Sequence, residues 1–382
     1  MHFARTEEQA AIQEMALAFA RDRLTPKAGE WDETGHFPAD VIRETAPLGM
    51  SAIYVPAELG GSGLTRLDGA MIFEALAYGC PTISAYISIH NMVAWMVATY
   101  GNETQRAEWF TKLASMEWLA SYCLTEPGCG SDAAALRTSA RREGDCYVLN
   151  GTKQFISGAG IADFYFVFAR SGGDGAKGIS AFAVLKGTPG LSFGPDERKM
   201  GWNAQPTRQV IMEDVRIPAT QLIGAEGHGF RFAMSGLDGG RINIAACSVG
   251  AAWAALDKAR AYAHERRAFG QEIASFQAMQ FKIADMATDL EAARLMLYRG
   301  ADALDRADPE AGMYSAMAKR FATDVGSAVA NEALQVHGGY GYLKDYGVEK
   351  IVRDLRVHQI LEGTNEIMRV VIARKLLGGN RG

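Results

Sequence analysis

The sequence predicts an α+β protein with an N-terminal helical domain, a middle β domain and a C-terminal four-helix bundle. Three observations carry this. Helical spacing dominates to about residue 117; strand alternation and turn residues take over from about Trp118 to about Gly224; long helical patterns return from about Gly229. The expected boundaries are 1–117, 118–225 and 226–382, a reasonable division for 382 residues. With 48% apolar and 22% charged residues the chain can bury a large core, and disorder is not expected.

In order along the chain, Thr6 is placed to cap a helix running to Arg23, with Pro26 just beyond. Pro38, Pro47, Pro56 and the run Gly60 to Gly63 punctuate the next stretch. Helical patterns resume over Arg66–Tyr78, Ser84–Tyr100 and from near Asn102. In the β region, Tyr147-Val148-Leu149 leads into Asn150-Gly151, which predicts a hairpin. Phe164–Phe168 and Ile179–Leu185 read as strands, Gly187 to Gly190 as a turn, and Val210-Ile211-Met212 as a strand before a turn at Glu213-Asp214. The middle domain is expected to be barrel-like. Four long helices are expected over Arg241–Ala268, Phe276–Leu304, Glu310–His337 and from Thr364 to Leu377, with Gly378 and Gly379 as a stop.

Composition excludes several classes. Thirty-nine Lys and Arg against 44 Asp and Glu give a net charge of −5, which argues against nucleic-acid binding. Five cysteines without a C-x-x-C argue against a disulfide framework or a structural zinc, and with no H-E-x-x-H either, no metal is expected. The longest nearly apolar run, Ile244 to Leu256, is too short to cross a membrane. Early Glu7, Glu8 and Glu14 are unlike a transit peptide, so a bacterial cytoplasmic location is expected, or a mitochondrial matrix one if a leader has been removed. There is no Gly-Lys for a Walker loop, Gly158-Ala159-Gly160 lacks the third glycine of a dinucleotide fingerprint, and there is no G-x-S-x-G.

Four segments are candidates for chemistry. Tyr122-Cys123-Leu124-Thr125-Glu126-Pro127-Gly128-Cys129-Gly130-Ser131-Asp132 offers glycines that let backbone N–H groups approach a ligand, though an ordinary turn is the simpler local reading. Phe155-Ile156-Ser157 sets an aromatic near a hydroxyl, but aromatic strands usually fill cores. Gln335 to Tyr342 ends a long helix in glycines, and a histidine such as His337 is more often structural than catalytic. Glu362 lies just ahead of the Thr364 cap. On local chemistry the favoured reading is a helix-dipole partner with a lowered pKa; the alternative is an apolar pocket that raises it toward a useful base.

Together, Y-C-L-T-E-P-G-x-G-S-D, H-G-G-Y-G-Y and E-G-T-N-E-I resemble the acyl-CoA dehydrogenase family in order and spacing, from about Thr6 to Leu377. Four stretches resemble in particular the members acting on isobutyryl-CoA: Tyr86–Met92, Phe155–Gly160, Gly239–Ala245 and Val357–Gly363. Asp238 stands where those members carry Asn, and Cys129 replaces a small residue.

The resemblance implies FAD as cofactor. It implies contacts from Tyr122, Leu124, Thr125, Gly130 and Ser131, from Phe155, Ile156 and Ser157, and from Thr364, Asn365 and Glu366. Arg266, Phe276, Gln277, Gln335, Val336, His337, Gly338 and Gly339 match positions that reach the FAD of a neighbouring subunit, in a homotetramer built as a dimer of dimers. Ser131, Asp238, Gly239, Gly240, Arg241 and Arg374 match substrate contacts, and Glu362 matches the catalytic base, whose burial against flavin and thioester is expected to raise its pKa against the helix-end effect. The implied reaction is α,β-dehydrogenation of a short branched acyl-CoA, most simply isobutyryl-CoA to methacryloyl-CoA in valine breakdown, with electrons passed to an electron-transfer flavoprotein. Short-chain or 2-methylbutyryl-CoA dehydrogenation is the alternative. A non-catalytic, nucleic-acid-binding flavoprotein and an acyl-CoA oxidase are more distant ones.

Overall fold

The computed structural model describes residues 5–378. Helix α1 (Glu7–Phe19) starts at a reciprocal cap between Thr6 and Gln9 and continues as a wide turn over Ala20–Leu24. Two short helices come next, α2 (Ala28–Thr34) and α3 (Ala39–Arg43), each too short to show periodicity in sequence. Then come α4 (Arg66–Gly79), capped by Thr65 and Asp68, and α5 (Pro81–Tyr100), with proline in its first turn. The pattern beginning at Asn102 resolves into α6 (Glu103–Gln105), a wide turn and α7 (Thr111–Ala114).

The middle strands are β1 (Ala120–Cys123), β2 (Ser139–Glu143), β3 (Cys146–Ser157), β4 (Phe164–Arg170), β5 (Ile179–Leu185), β6 (Leu191–Phe193), β7 (Thr207–Pro218) and β8 (Leu222–Ile223). They pair in the order β6-β7-β3-β2-β4-β5-β8, with β1 parallel to β4. Strand pairing among the described residues does not close a barrel: β6 and β8 are the ends, and a single residue pair, Ser139 with Arg170, joins β2 to β4.

Two expected turns are absent. β3 runs straight through Asn150-Gly151, and β7 runs through Glu213-Asp214. The residues instead form a bulge in which Glu213 and Asp214 oppose Asn150, between the pairs Leu149–Val215 and Gly151–Met212. Asn150 Nδ2 donates to Asp214 Oδ1 at 3.0 Å, and Asp214 N donates to Asn150 Oδ1 at 2.9 Å. Turn-forming residues thus bend a strand pair, and the hairpin lies earlier, at Gly144-Asp145.

Helix α8 (Gly229–Glu265) begins twelve residues before the expected Arg241. Gly236, Gly239 and Gly240 masked the pattern. A Cβ at Gly236 would press on the sulfurs of Met92 and Met96, and one at Gly239 would meet Arg66 Nη1 at 2.5 Å. At its C-terminal end α8 gives way to a small hairpin of β9 (Arg267–Ala268) and β10 (Gln271–Glu272). The remaining helices are α9 (Gln277–Asp305), α10 (Ala311–His337), α11 (Val348–Arg356) and α12 (Asn365–Leu376). The Thr364 hydroxyl accepts from Ile367 N at 3.3 Å to cap α12, and left-handed Gly378 comes after its end; Gly379 lies outside the described residues.

The regions are fused by shared cores. One joins α1, α4 and α5 to α8, α9 and α10; another joins α5 to β1, β4 and β5. Polar ties reinforce them: Arg294 on α9 reaches buried Glu74 on α4 at 2.6 and 2.9 Å. No helix among the described residues is long and apolar enough to cross a membrane.

Candidate active site

Glu362 and Gly363 are both left-handed, at φ 54° and 87°, and reverse the chain into α12. A glutamate there carries strain of about 1–3 kcal/mol, so its surroundings must hold it. Lys319 Nζ donates to Gly363 O at 2.8 Å and Asn365 Oδ1 at 2.9 Å. A Cβ at Gly363 would lie 2.7 Å from Met368 Cε, so glycine suits this position on space as well as on φ.

The Glu362 carboxylate packs on bare backbone: a Cβ at Gly240 on α8 would collide with it. Its Oε2 is enclosed and has no hydrogen-bond partner. Burial pushes the carboxyl up to about 7, against the pull of Arg241 and Lys319. The helix-dipole reading with a lowered pKa is therefore overturned. Burial on α8 outweighs the dipole of α12, whose first-turn N–H of Ile367 is satisfied by Thr364. Gly240→Ala is expected to fold but to displace this carboxylate. Acyl-CoA-dependent flavin reduction should fall about 100-fold, since displacements near 1 Å cost that much; stopped-flow absorbance checks it.

Around Glu362, Tyr122 comes from the end of β1, its phenol raised by burial and by the Glu362 charge, and its hydroxyl reaches Ala233 O on α8 at 3.4 Å. Arg241 is buried and bonded to Asp238 at 2.5 Å, with its Nε unpartnered. Burial raises the Asp238 carboxyl despite Arg241.

The loop after β1 is held by a buried pair that sequence reasoning missed. Lys153 Nζ donates to Leu124 O at 3.1 Å and Glu126 Oε1 at 2.8 Å, while Glu126 accepts from Arg137 N and Thr138 N. Thr125 O accepts from Gln154 N at 2.8 Å. A Cβ at Gly128 would meet nothing within 4 Å, one at Gly130 would meet only Thr125 Cγ2 at 3.9 Å, and Ser131 is exposed.

Phe155 fills no core. It sits at φ 58°, at a register shift between β3 and β7, and the residue is 62% exposed. Ile156 points into the core, so only its backbone is available to a ligand. Ser157 Oγ accepts from Gln205 Nε2 at 3.0 Å.

The other predicted residues divide. Asn365 is buried, accepting from Lys319 and donating to Thr323 Oγ1 at 2.9 Å and Asp324 Oδ1 at 2.7 Å, so its amide is spent inside the chain, not free for a cofactor. Glu366 is exposed beside Arg369. Arg374 is exposed on the last turn of α12, about 15 Å along that helix from Thr364.

Arg266, Val336, His337, Gly338 and Gly339 line a separate open cavity of about 390 Å³ with Tyr262 and Tyr340. His337 Nδ1 donates to Ala333 O at 2.8 Å, and its ring stacks on Tyr262 with centroids 4.5 Å apart. The exposed Gln335 and Gln277 and half-buried Phe276 stand at the neighbouring ends of α10 and α9, with Phe276 edge-on to Phe269. Arg241 and Arg266 are 25 positions apart on and just past α8, about 37 Å along its axis, so one chain does not bring the two groups to one ligand.

Among the described residues, no group of three or more His, Cys, Asp and Glu side chains is arranged to hold a metal ion. FAD suits what is present. The chain offers an outward aromatic at Phe155 for a planar ring, a glycine loop with open backbone after β1, and hydroxyls at Thr125, Ser131 and Ser157. Lys319 and Lys153 went unnoticed as site-supporting groups, and Gly240, expected as a substrate contact, also packs against the Glu362 carboxylate. The available signal was a lysine inside an otherwise apolar face, as at Lys319 between Ala316 and Ala322.

Family models for the acyl-CoA dehydrogenase N-terminal, middle and C-terminal domains match residues 6–117, 121–215 and 227–377. Mitochondrial isobutyryl-CoA dehydrogenases of Bos taurus and Dictyostelium discoideum are each 54% identical over 97% of this chain and 89% of theirs. The solved butyryl-CoA dehydrogenase of Megasphaera elsdenii superposes with a TM-score of 0.96 at 37% identity, covering 99% of this chain and all of that one. The chain belongs to the acyl-CoA dehydrogenase family and is an FAD-dependent oxidoreductase that dehydrogenates an acyl-CoA.

Proposed function

We propose that the chain oxidises isobutyryl-CoA to methacryloyl-CoA, as in valine breakdown. The observation that carries this reading is the enclosed, unpartnered Glu362 Oε2, poised near neutral pH against the bare backbone of Gly240. The 54% identity to isobutyryl-CoA dehydrogenases supports the choice of acyl chain.

Glu362 Oε2 takes the α proton of the thioester, and the Glu362 backbone N–H donates to the thioester carbonyl as enolate-like charge develops. The hydride leaving the β carbon would pass to FAD, whose bound flavin would supply the two-electron acceptor. Tyr122, Leu124, Thr125, Gly130 and Ser131 would hold that cofactor along the loop whose shape Lys153 and Glu126 fix. Phe155 and Ser157 would contact its ring. Arg241, with Asp238, orients the CoA arm.

Arg266 and the Val336–Gly339 turn serve the FAD of a second copy, because about 37 Å of α8 separates them from Arg241. The assembly is a homotetramer, and an electron-transfer flavoprotein reoxidises the enzyme.

Anaerobic titration with acyl-CoA esters tests the function. Bleaching of the flavin absorbance by isobutyryl-CoA, ahead of butyryl- and 2-methylbutyryl-CoA, is expected. Preference for either of the latter keeps the chemistry and overturns the substrate, while no bleaching by any ester overturns the enzyme. The reduction rate should rise with pH through about 7, because Glu362 must shed its proton before it can accept one from the substrate. A flat profile between pH 6 and 8 would count against Glu362.

A further inference from the structure

Lys319 on α10 is fully enclosed and, among the described residues, makes no ion pair. Its two acceptors, Gly363 O and Asn365 Oδ1, are neutral. An ammonium buried on neutral acceptors is costly, by several kcal/mol for a single ion, so its position calls for a compensating charge. Glu362 supplies the largest one, ahead of Asp324 and Glu366, while burial still brings the lysine down to about 8. The lysine also grips the residue after Glu362. Asn365 is in turn locked by Thr323 and Asp324, so the grip is anchored in α10 at several points.

We propose that Lys319 is a positioning residue for Glu362: its ammonium clamps the Gly363 carbonyl to fix the left-handed turn, and its charge favours the ionised carboxylate. This rests on Glu362 being the base. Every charged or titratable group facing the pair has a place in the scheme. Arg241, bound to Asp238, and Tyr122 face Glu362 from α8 and β1; Lys319 faces it from α10. Asp324 and Glu366 act on Lys319, and His358, bonded to Ser248 Oγ at 2.7 Å, is held neutral by burial and by Lys319, down to about 3.

The test compares Lys319→Met with Lys319→Gln, which keeps a donor for Gly363 O but removes the charge. The readout independent of turnover is the carboxyl C=O infrared band of Glu362, assigned by its loss in Glu362→Gln and titrated with pH. Both variants should move that titration upward by about one pH unit or more, the size of effect a nearby opposite charge exerts. Flavin reduction by isobutyryl-CoA at pH 7 should fall about tenfold and recover toward pH 9, with FAD retained best in Lys319→Gln. An unmoved titration in a folded variant overturns the proposal, as does failure of both variants to fold, which would assign Lys319 to the core alone. If no acyl-CoA reduces even the wild type, the function is wrong, and the infrared shift still decides the coupling of Lys319 to Glu362.

Discussion

Glu362→Gln is expected to fold, bind FAD and be reduced by isobutyryl-CoA at least ~10³-fold more slowly than wild type, since a general base contributes about 10²–10⁴-fold and no other carboxylate stands ready to replace it. Asp238, linked to Glu362 through Arg241, is already bonded to that arginine. The same substitution should stabilise the protein in a pH-dependent way. A carboxyl held near 7 in the folded state and near 4.5 when exposed makes the folded state bind more protons between those values, so stability falls as pH rises through that window. Glutamine removes this penalty. At pH 8 the variant should be more stable by roughly 2 kcal/mol, allowing for partial solvent access, and at pH 4 the two proteins should agree. Single-turnover absorbance and thermal melts at the two pH values decide it; reduction within tenfold of wild type would place the base elsewhere.

Asp354→Ala is expected to cost about 3–5 kcal/mol, the largest stability loss anticipated for a single side chain. Asp354 on α11 is fully buried. Its Oδ2 accepts from Lys350 Nζ at 2.5 Å and Thr82 Oγ1 at 3.0 Å, and its Oδ1 accepts from Trp202 N at 2.6 Å. Those partners come from α11 itself, from α5 and from the segment leading to β7, so one carboxylate ties the N-terminal helices, the β region and the bundle together. Burial acts to lower the Lys350 ammonium, yet Asp354 holds it well above its ordinary value, so removing the carboxylate strands a buried charge. The double variant Asp354→Leu with Lys350→Met should recover much of the loss, because an apolar pair of similar volume leaves no charge unpaired. Denaturant midpoints test both. A loss under about 1 kcal/mol for Asp354→Ala would mean that water or a neighbour compensates Lys350.

The sequence by itself determined the broad order of helix, β and helix, the caps at Thr6 and Thr364, and the long helices, because periodicity and capping act over one or two turns of chain. Its motifs also marked the Tyr122–Ser131 loop and Glu362. What it misjudged depended on partners distant in the chain. Asn150-Gly151 carries every local mark of a hairpin, but β7 supplies a two-residue opposite that turns it into a bulge. Phe155 reads as core until the same strand pair slips register and faces it outward. Glu362 lies ahead of a helix N-terminus, where local electrostatics favour a low pKa. Only tertiary structure, by laying Gly240 of α8 against the carboxylate and sealing one oxygen from water, decided that it would be held near neutrality. Desolvation depends on everything within several ångströms in space, and Gly240, which packs on the carboxylate here, lies 122 positions away in the chain.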